Sequence, residues 1–331
     1  MKNDLRVLTN KQVELMEALV ASGEQKTKHL MSTYLKSKYS SVVETKEYIY
    51  AEGDIPIALV SHMDTVFDAK RHYEPTVYYD RIKNVMCCPD GAGFDDKAGI
   101  FAIIQILRRG LRPHIILTTD EESGGAGASA ISKIPCPFKD LRYIIQLDRR
   151  GAVDCVFYSC DNQNFINYVE GFGFAEAIGS FSDISIICPA WKIAGVNLSI
   201  GYYDEHSVSE ILNVGHMLST IEKVVVMLTE KDIPAFEYIP CKYDNYNWYR
   251  WVKPSKIISS EDHCGKCQKK FTKDEMVLVR KPNGIYENRC IDCLDGVDWC
   301  TACGEAYIPD PHDNAYHMCE DCIDEFFSGR Y

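Results

Sequence analysis

The chain contains no apolar stretch of about 18 residues, the length a membrane-spanning helix needs. Its opening, MKNDLRVLTN, lacks the apolar segment of a secretory signal. It has no basic excess either: 36 Lys+Arg stand against 48 Asp+Glu, a net charge of −12. That balance argues against nucleic acid as a default partner. No internal repeat is visible in the first 250 residues. These absences predict a cytoplasmic protein with no membrane partner. What is present is 46% apolar residues, enough for a full core, so disorder and collagen-like repeats are excluded. A length of 331 residues suits one large domain, or a medium one with something small attached. The 15 cysteines then need an explanation other than extracellular disulfides, and metal is the natural one.

The cysteines divide the chain. Cys87, Cys88, Cys136, Cys155, Cys160, Cys188 and Cys241 are scattered, whereas eight fall in four C-x-x-C pairs within 264–322. Before about residue 255, short apolar runs (Ile55–Ser61, His114–Thr118, Tyr143–Leu147, Val196–Ile200) alternate with helical patterns, the mark of an α/β sheet domain. Helices are predicted over Lys11–Val20, Glu24–Lys38 and Lys97–Arg109, the last followed by Gly110. Another is predicted over Val208–Leu228, where Ser207 and Glu210 stand in capping-box spacing. The expected organisation is a sheet domain over 1–230, an aromatic-rich connecting segment over 231–255, and two small cysteine modules over 256–296 and 297–331. The connector holds Phe236, Tyr238, Tyr243, Tyr246, Trp248, Tyr249 and Trp251, which a flexible tether would not. Packing across the sheet domain explains these rings better than lining a cleft.

The predicted strands end in acids or histidine. Ile57–Val60 runs into Ser61-His62-Met63-Asp64, Ile115–Thr119 into Asp120-Glu121-Glu122-Ser123-Gly124-Gly125, and Ile144–Leu147 into Asp148. Val196–Ile200 leads to Asp204-Glu205-His206, and Asp95-Asp96 precedes the Lys97 helix after a glycine-bearing turn. In an open α/β sheet, ligands bind beyond the carboxyl ends of the strands. Two histidines and several carboxylates gathered there suit a pair of zinc, cobalt or manganese ions. Without metal, such buried carboxylates would repel and lose their charge. Any one of these residues alone would be unremarkable surface; the recurrence at one end of the sheet is not.

The order His-x-Asp, Gly-x-Asp-Asp-Lys-x-Gly, Asp-Glu-Glu-x-Gly-Gly, Leu-Asp and a late His resembles the co-catalytic dinuclear zinc exopeptidases, over about residues 10–230. That superfamily includes peptidase T, succinyl-diaminopimelate desuccinylases, aminoacylases and zinc aminopeptidases. The resemblance implies a three-layer domain with a mixed, largely parallel central sheet and helices on both faces. It implies that His62 binds one ion and that Asp64 steers its imidazole. Asp95 would bridge the two ions, with the Asp95–Asp96 peptide bond often cis in the family. Glu121 would be the general base and Glu122 a ligand, with Asp148 and His206 completing the set, one on each ion. Two such ions acidify a bridging water and polarise a carbonyl, and Glu121 would move the proton to the leaving amine.

Many members insert a lid domain between the positions of Asp148 and His206. Residues 149–205 are too few for that plus the sheet elements, so the resemblance implies a bare catalytic domain without lid-borne recognition of substrate. Some zinc aminopeptidases stabilise the oxyanion with a Tyr close to the last His. Tyr202 and Tyr203 are near His206, but a strand role fits them better. Asp204 and Glu205 could hold a substrate ammonium, although acidic loop residues are usually just solvated.

In the tail, Cys264-x-x-Cys267 and Cys290-x-x-Cys293 are separated by 22 residues, and Cys300-x-x-Cys303 and Cys319-x-x-Cys322 by 15. This is zinc-ribbon spacing, one structural zinc per four thiolates. Sequential pairing is the expectation, with a cross-braced arrangement open; His263 and His317 flank the knuckles. Residues 254–290 carry eight basic and five acidic side chains, and 291–331 one basic and ten acidic. Nucleic-acid binding is therefore disfavoured, though Lys266, Lys269, Lys270 and Lys273 form a small basic cluster. A structural clasp or a protein-docking module suits this charge better.

The function expected is metal-dependent hydrolysis of amide bonds, most simply as an aminopeptidase-like exopeptidase on short peptides. Deacylation of an N-acyl amino acid or another small amide would use the same chemistry. The reading from a different class is an inactive scaffold whose ribbons recruit a protein. The presence of Glu121 and every ligand position favours the enzyme.

Overall fold

The structure, a computed structural model, describes residues 7–67, 75–241, 261–267, 269–272, 276–281, 286–290, 293, 297–299 and 306–308. Tyr243, Tyr246, Trp248, Tyr249, Trp251, Lys273, Cys300, Cys303, His317, Cys319 and Cys322 lie outside them. The chain divides into two compact units, Met1–Asn245 and Tyr246–Tyr331.

The first unit opens with α1 (Asn10–Val20) and α2 (Glu24–Lys36), then β1 (Val42–Glu44), β2 (Tyr48–Ala51) and β3 (Ile55–His62). It continues with β4 (Tyr78–Asp80), β5 (Val85–Cys87), α3 (Phe94–Arg108), β6 (Pro113–Thr118), α4 (Ala126–Ile131) and β7 (Tyr143–Arg149). Then come β8 (Asp154–Val156), α5 (Gln163–Glu170), β9 (Ala175–Glu176), α6 (Asp183–Trp191) and β10 (Gly195–Ser199). It closes with β11 (Tyr202–Tyr203), β12 (Ile211–Asn213) and α7 (Val214–Leu228). Eight strands form the main sheet in the order β1-β2-β6-β3-β7-β10-β8-β9. Its centre, β6-β3-β7-β10, is parallel. β2 and β8 flank that centre antiparallel.

Both faces of the central strands are covered, which is why they read as continuous apolar runs rather than alternating ones. Leu59, Ile115, Leu117, Ile145 and Leu147 enter one core with residues of α1, α3 and α7. Ala58, Val60, Ile116 and Ile144 enter the other, with Ile131 of α4 and Ile184 and Ile187 of α6. Successive residues thus alternate between two buried faces. α3 lies so close to β7 that a Cβ on Gly99 would stand 2.3 Å from the Leu147 carbonyl oxygen and 2.4 Å from Asp96 Oδ1.

β3 is flanked on opposite sides by the next two parallel strands in sequence, β6 and β7. This is a topological switch point, and the crevice beyond its carboxyl end is where such sheets bind ligands. A second, antiparallel sheet, β11-β12-β5-β4, carries the loop that holds His206. Residues 149–205 hold β8, α5, β9, α6, β10 and β11.

One expected element differs. Residues 208–213 are not helical: Ile211–Asn213 form β12, paired with Val85–Cys87. α7 starts only at Val214, capped by the Asn213 side chain accepting from His216 N at 3.1 Å. The Ser207/Glu210 spacing is not a capping box, because the Glu210 carboxylate is turned inward to other donors. In 231–241 the chain packs back on the sheet unit. Ala194 N donates to the Phe236 carbonyl at 3.0 Å, and the Phe236 ring centre lies 4.9 Å from that of Phe165 and 5.2 Å from that of Tyr168.

The second unit contains a hairpin of β13 (Glu261–His263) and β14 (Lys270–Thr272). It also contains a four-stranded sheet of β15 (Met276–Arg280), β16 (Tyr286–Cys290), β17 (Asp298–Trp299) and β18 (Ala306–Tyr307), ordered β16-β15-β18-β17. Among the described residues no helix is long and apolar enough to cross a membrane.

Candidate metal centre

The carboxyl ends of β3, β6 and β7 and the β11–β12 loop bring together every site residue expected in the sheet unit. His62, the last residue of β3, is 1% exposed. Its Nε2 lies 3.1 Å from Asp95 Oδ1 and 3.4 Å from Asp148 Oδ1, and its Nδ1 lies 3.3 Å from Asp64 Oδ1. His206 Nε2 lies 3.2 Å from Asp95 Oδ2 and 3.0 Å from Glu122 Oε2. Asp95 therefore presents one carboxylate oxygen to each imidazole. His62, Asp95 and Glu122 have ligand atoms mutually within 4.8 Å, as have His62, Asp96 and Asp148.

Each residue is held by its own element. Asp95 follows Gly93, whose φ of +67° is left-handed, and its own φ/ψ is non-helical although it sits in the first turn of α3. The Asp95–Asp96 peptide bond is cis. Asp96 is fully buried, and its carboxylate accepts from Ser61 Oγ at 2.5 Å and Gly99 N at 2.9 Å. Both its oxygens are thus engaged within the fold. Asp64 accepts the backbone N–H groups of Glu121 and Glu122, each at 3.1 Å. Asp148 accepts from Tyr202 Oη at 3.1 Å and from Gln146 Nε2 at 2.9 Å. His206 is half exposed, on a loop where its own φ is +64° and that of Asp204 +55°. Left-handed backbone at non-glycine residues is costly and concentrates at functional loops.

Several supporting contacts carry no signal in the sequence. Tyr202 is buried in β11 and tied to Asp148, while Tyr203 Oη pairs with His216 Nδ1 at 2.7 Å. Glu205 Oε1 accepts from the Arg150 guanidinium at 3.2 Å. Gln146 and Asp183 carried no motif that would have marked them, and Glu210 carried only its capping-box spacing to Ser207. Asp183, fully buried at the start of α6, accepts from Thr118 Oγ1 at 2.6 Å.

The electrostatics are those of crowded acids. Burial pushes the Glu121 carboxyl up to about 9, with Asp148, Asp183 and Asp95 adding to the shift and His62 opposing it. Burial and the Asp95 charge push Asp148 up to about 8. Burial would also raise Asp95, but its hydrogen bonds to His206 and His62 hold it well below the usual carboxylate range. The same bonds to Asp95 and Glu122 hold the His206 imidazole up at about 11. Divalent cations would supply the positive charge this cluster lacks. The donor set fits them: imidazole nitrogens and carboxylate oxygens, with Glu122 Oε1 buried and without a hydrogen-bond partner.

In the second unit, the sulfurs of Cys264, Cys267, Cys290 and Cys293 lie mutually within 4.8 Å. This is the sequential grouping, a four-cysteine cluster of the zinc-ribbon kind.

No protein-family description matches this chain, and no curated protein does. Solved structures do match. The aminopeptidase PepT of Bacillus cereus is 15% identical over 67% of this chain and 98% of its own, with a TM-score of 0.51. A tripeptidase of Staphylococcus aureus is 13% identical over 67% and 98%, at 0.52. A TET aminopeptidase of a marine-sediment Thaumarchaeota archaeon is 13% identical over 68% and 98%, at 0.54. The first unit thus has the α/β zinc-exopeptidase fold, a mixed and mostly parallel sheet between helical layers.

Proposed function

We propose that the first unit is a metal-dependent hydrolase of amide bonds, an aminopeptidase-like exopeptidase on short peptides. The observation that carries this reading is the Asp95 carboxylate, facing His62 with one oxygen and His206 with the other. His62 and Asp148 would hold one divalent ion, His206 and Glu122 the other, and Asp95 both. Zinc is expected, and cobalt or manganese suits the same donors. Bound there, such a pair supplies Lewis acidity, lowering the pKa of water and polarising a carbonyl. Asp64 keeps the His62 ring in place through its Nδ1. Glu121 accepts the proton of the attacking water and returns it to the leaving amine. The peptidase neighbours support this reading.

Cys264, Cys267, Cys290 and Cys293 hold a structural zinc in this reading, and Cys300, Cys303, Cys319 and Cys322 a second one. The tail then serves as a clasp or a docking module for a protein.

Elemental analysis of the freshly gel-filtered full chain tests the proposal, followed by screening of short peptides and N-acyl amino acids. About four metal ions per chain, two of them removable from hard ligands, with release of N-terminal residues from peptides, is the expected result. Hydrolysis of N-acyl amino acids alone would favour the deacylase. A count that stays near two after addition of zinc, cobalt or manganese would favour the scaffold.

A further inference from the structure

Glu210 lies four residues beyond the half-exposed His206, yet it is 1% exposed itself. Its two carboxylate oxygens are spent on one turn: Oε2 accepts from Gly93 N at 2.6 Å and Oε1 from Asp95 N at 2.9 Å. These donors open α3, where unpaired N–H groups and the helix dipole favour a negative charge. The loop between His206 and Glu210 is tightened by its own bonds, Glu210 N to the Ser207 carbonyl at 3.2 Å and Ser209 N to Ser207 Oγ at 3.1 Å. Immediately after Glu210 the chain is locked into β12 by pairing with β5.

A short, braced loop thus carries His206 at one end and, at the other, a carboxylate clamped to the backbone of Asp95. Among the described residues, the side chain of His206 itself contacts Asp95 and Glu122, while its loop is anchored by the β11–β12 pairing. His62, in contrast, is fixed by β3 and by Asp64. We propose that Glu210 is a positioning residue that sets the spacing between His206 and Asp95, so that it governs the affinity of the ion held by His206 and Glu122 while leaving the ion held by His62 and Asp148 nearly untouched. The inference rests on the dinuclear reading above. A carboxylate is required because only it offers an acceptor to both N–H groups at once; an amide would set an NH2 against one of them. Loss of an outer partner of this kind costs metal affinity about 10- to 100-fold.

The test is titration of the full chain, its cysteine zinc retained, with manganese(II) followed by electron paramagnetic resonance. Thiolates do not compete for this ion, and two adjacent manganese ions give an exchange-coupled signal distinct from that of a single ion. The wild type is expected to take up two ions and reach the coupled signal. Glu210→Gln and Glu210→Asp are expected to bind the first ion as before and the second about 10- to 100-fold more weakly. Excess manganese is expected to restore the coupled signal with an unchanged circular dichroism spectrum. Two ions at wild-type affinity in both variants would overturn the role of Glu210 while leaving the dinuclear reading intact, as would equal weakening of both ions. Failure of both variants to fold would make Glu210 a residue of the fold and overturn the proposal as well. A wild type that never shows the coupled signal would overturn the dinuclear reading, and the inference with it.

Discussion

Asp64 Oδ1 accepts the backbone N–H of Glu121 at 3.1 Å while lying 3.3 Å from His62 Nδ1. One buried carboxylate therefore holds a proposed ligand and the proposed base in register. Asp64→Ala is expected to weaken metal binding about 10- to 100-fold and to free the turn at 121–122. Titration with zinc in a competing chelator reads the first effect, and hydrogen exchange at Glu121 and Glu122 the second. Unchanged exchange would separate the two roles.

Glu121→Gln removes a proton acceptor without removing a proposed ligand. Peptide hydrolysis is expected to fall by several orders of magnitude with metal content unchanged. Turnover at the wild-type rate would take the role of base from Glu121.

His114 in β6 is 3% exposed, stacks on Phe138 with ring centres 4.3 Å apart, and accepts from Gly53 N at 3.1 Å. Burial pushes its imidazole down to about 4, against Glu52 and Asp54, which pull the other way. The folded state thus binds this proton less readily than the unfolded state. The associated stability is fully present above about pH 6.5 and is lost as pH falls towards 4, by up to about 3 kcal/mol. His114→Asn keeps an acceptor for Gly53 N and cannot take up this proton. Its urea midpoint is expected to vary less with pH between 4 and 7 than that of the wild type.

Gly99→Ala would place a methyl group against the Leu147 carbonyl and the Asp96 carboxylate, inside the distance any Cβ tolerates. Overpacking of this kind costs about 1–3 kcal/mol, and here it would also displace Asp96 next to Asp95. A lowered melting temperature together with weakened metal binding is expected; a lowered melting temperature alone would show that the site absorbs the strain.

Cys290→Ala removes one sulfur from the cluster of Cys264, Cys267 and Cys293. Structural zinc contributes folding energy to a small domain. Exchange in β15 and β16 is expected to rise in this variant and in the chelator-treated wild type, while β3 and β6 stay protected.

Much of this architecture was legible because it rests on local patterns. Ile55–Ser61, His114–Thr118 and Tyr143–Leu147 each sit within one residue or two of the observed strands, since short apolar runs between turns have few other uses. The acids at their ends were visible for the same reason. Residues 208–213 were misread because Ser207 and Glu210 satisfy a local capping rule, whereas Glu210 is claimed by Gly93 and Asp95, more than a hundred positions away. No local pattern encodes such a partner. Gln146 and Asp183 escaped notice for the same reason, and Tyr202 read only as a strand residue, because their partners Ser182, Thr118 and Asp148 are distant in sequence.

The sequence by itself determined which chemistry the chain carries, namely imidazole and carboxylate at the ends of apolar strands and thiolates in C-x-x-C pairs. Residue type and spacing follow from the chain alone. Only the tertiary structure decided which oxygen of Asp95 faces which histidine, that Asp64 serves both His62 and Glu121, and that both oxygens of Asp96 are used up inside the fold. Those relationships depend on the crossing of separate strands and loops, and distances of about 3 Å between them are set by the packing of the sheet and its helices.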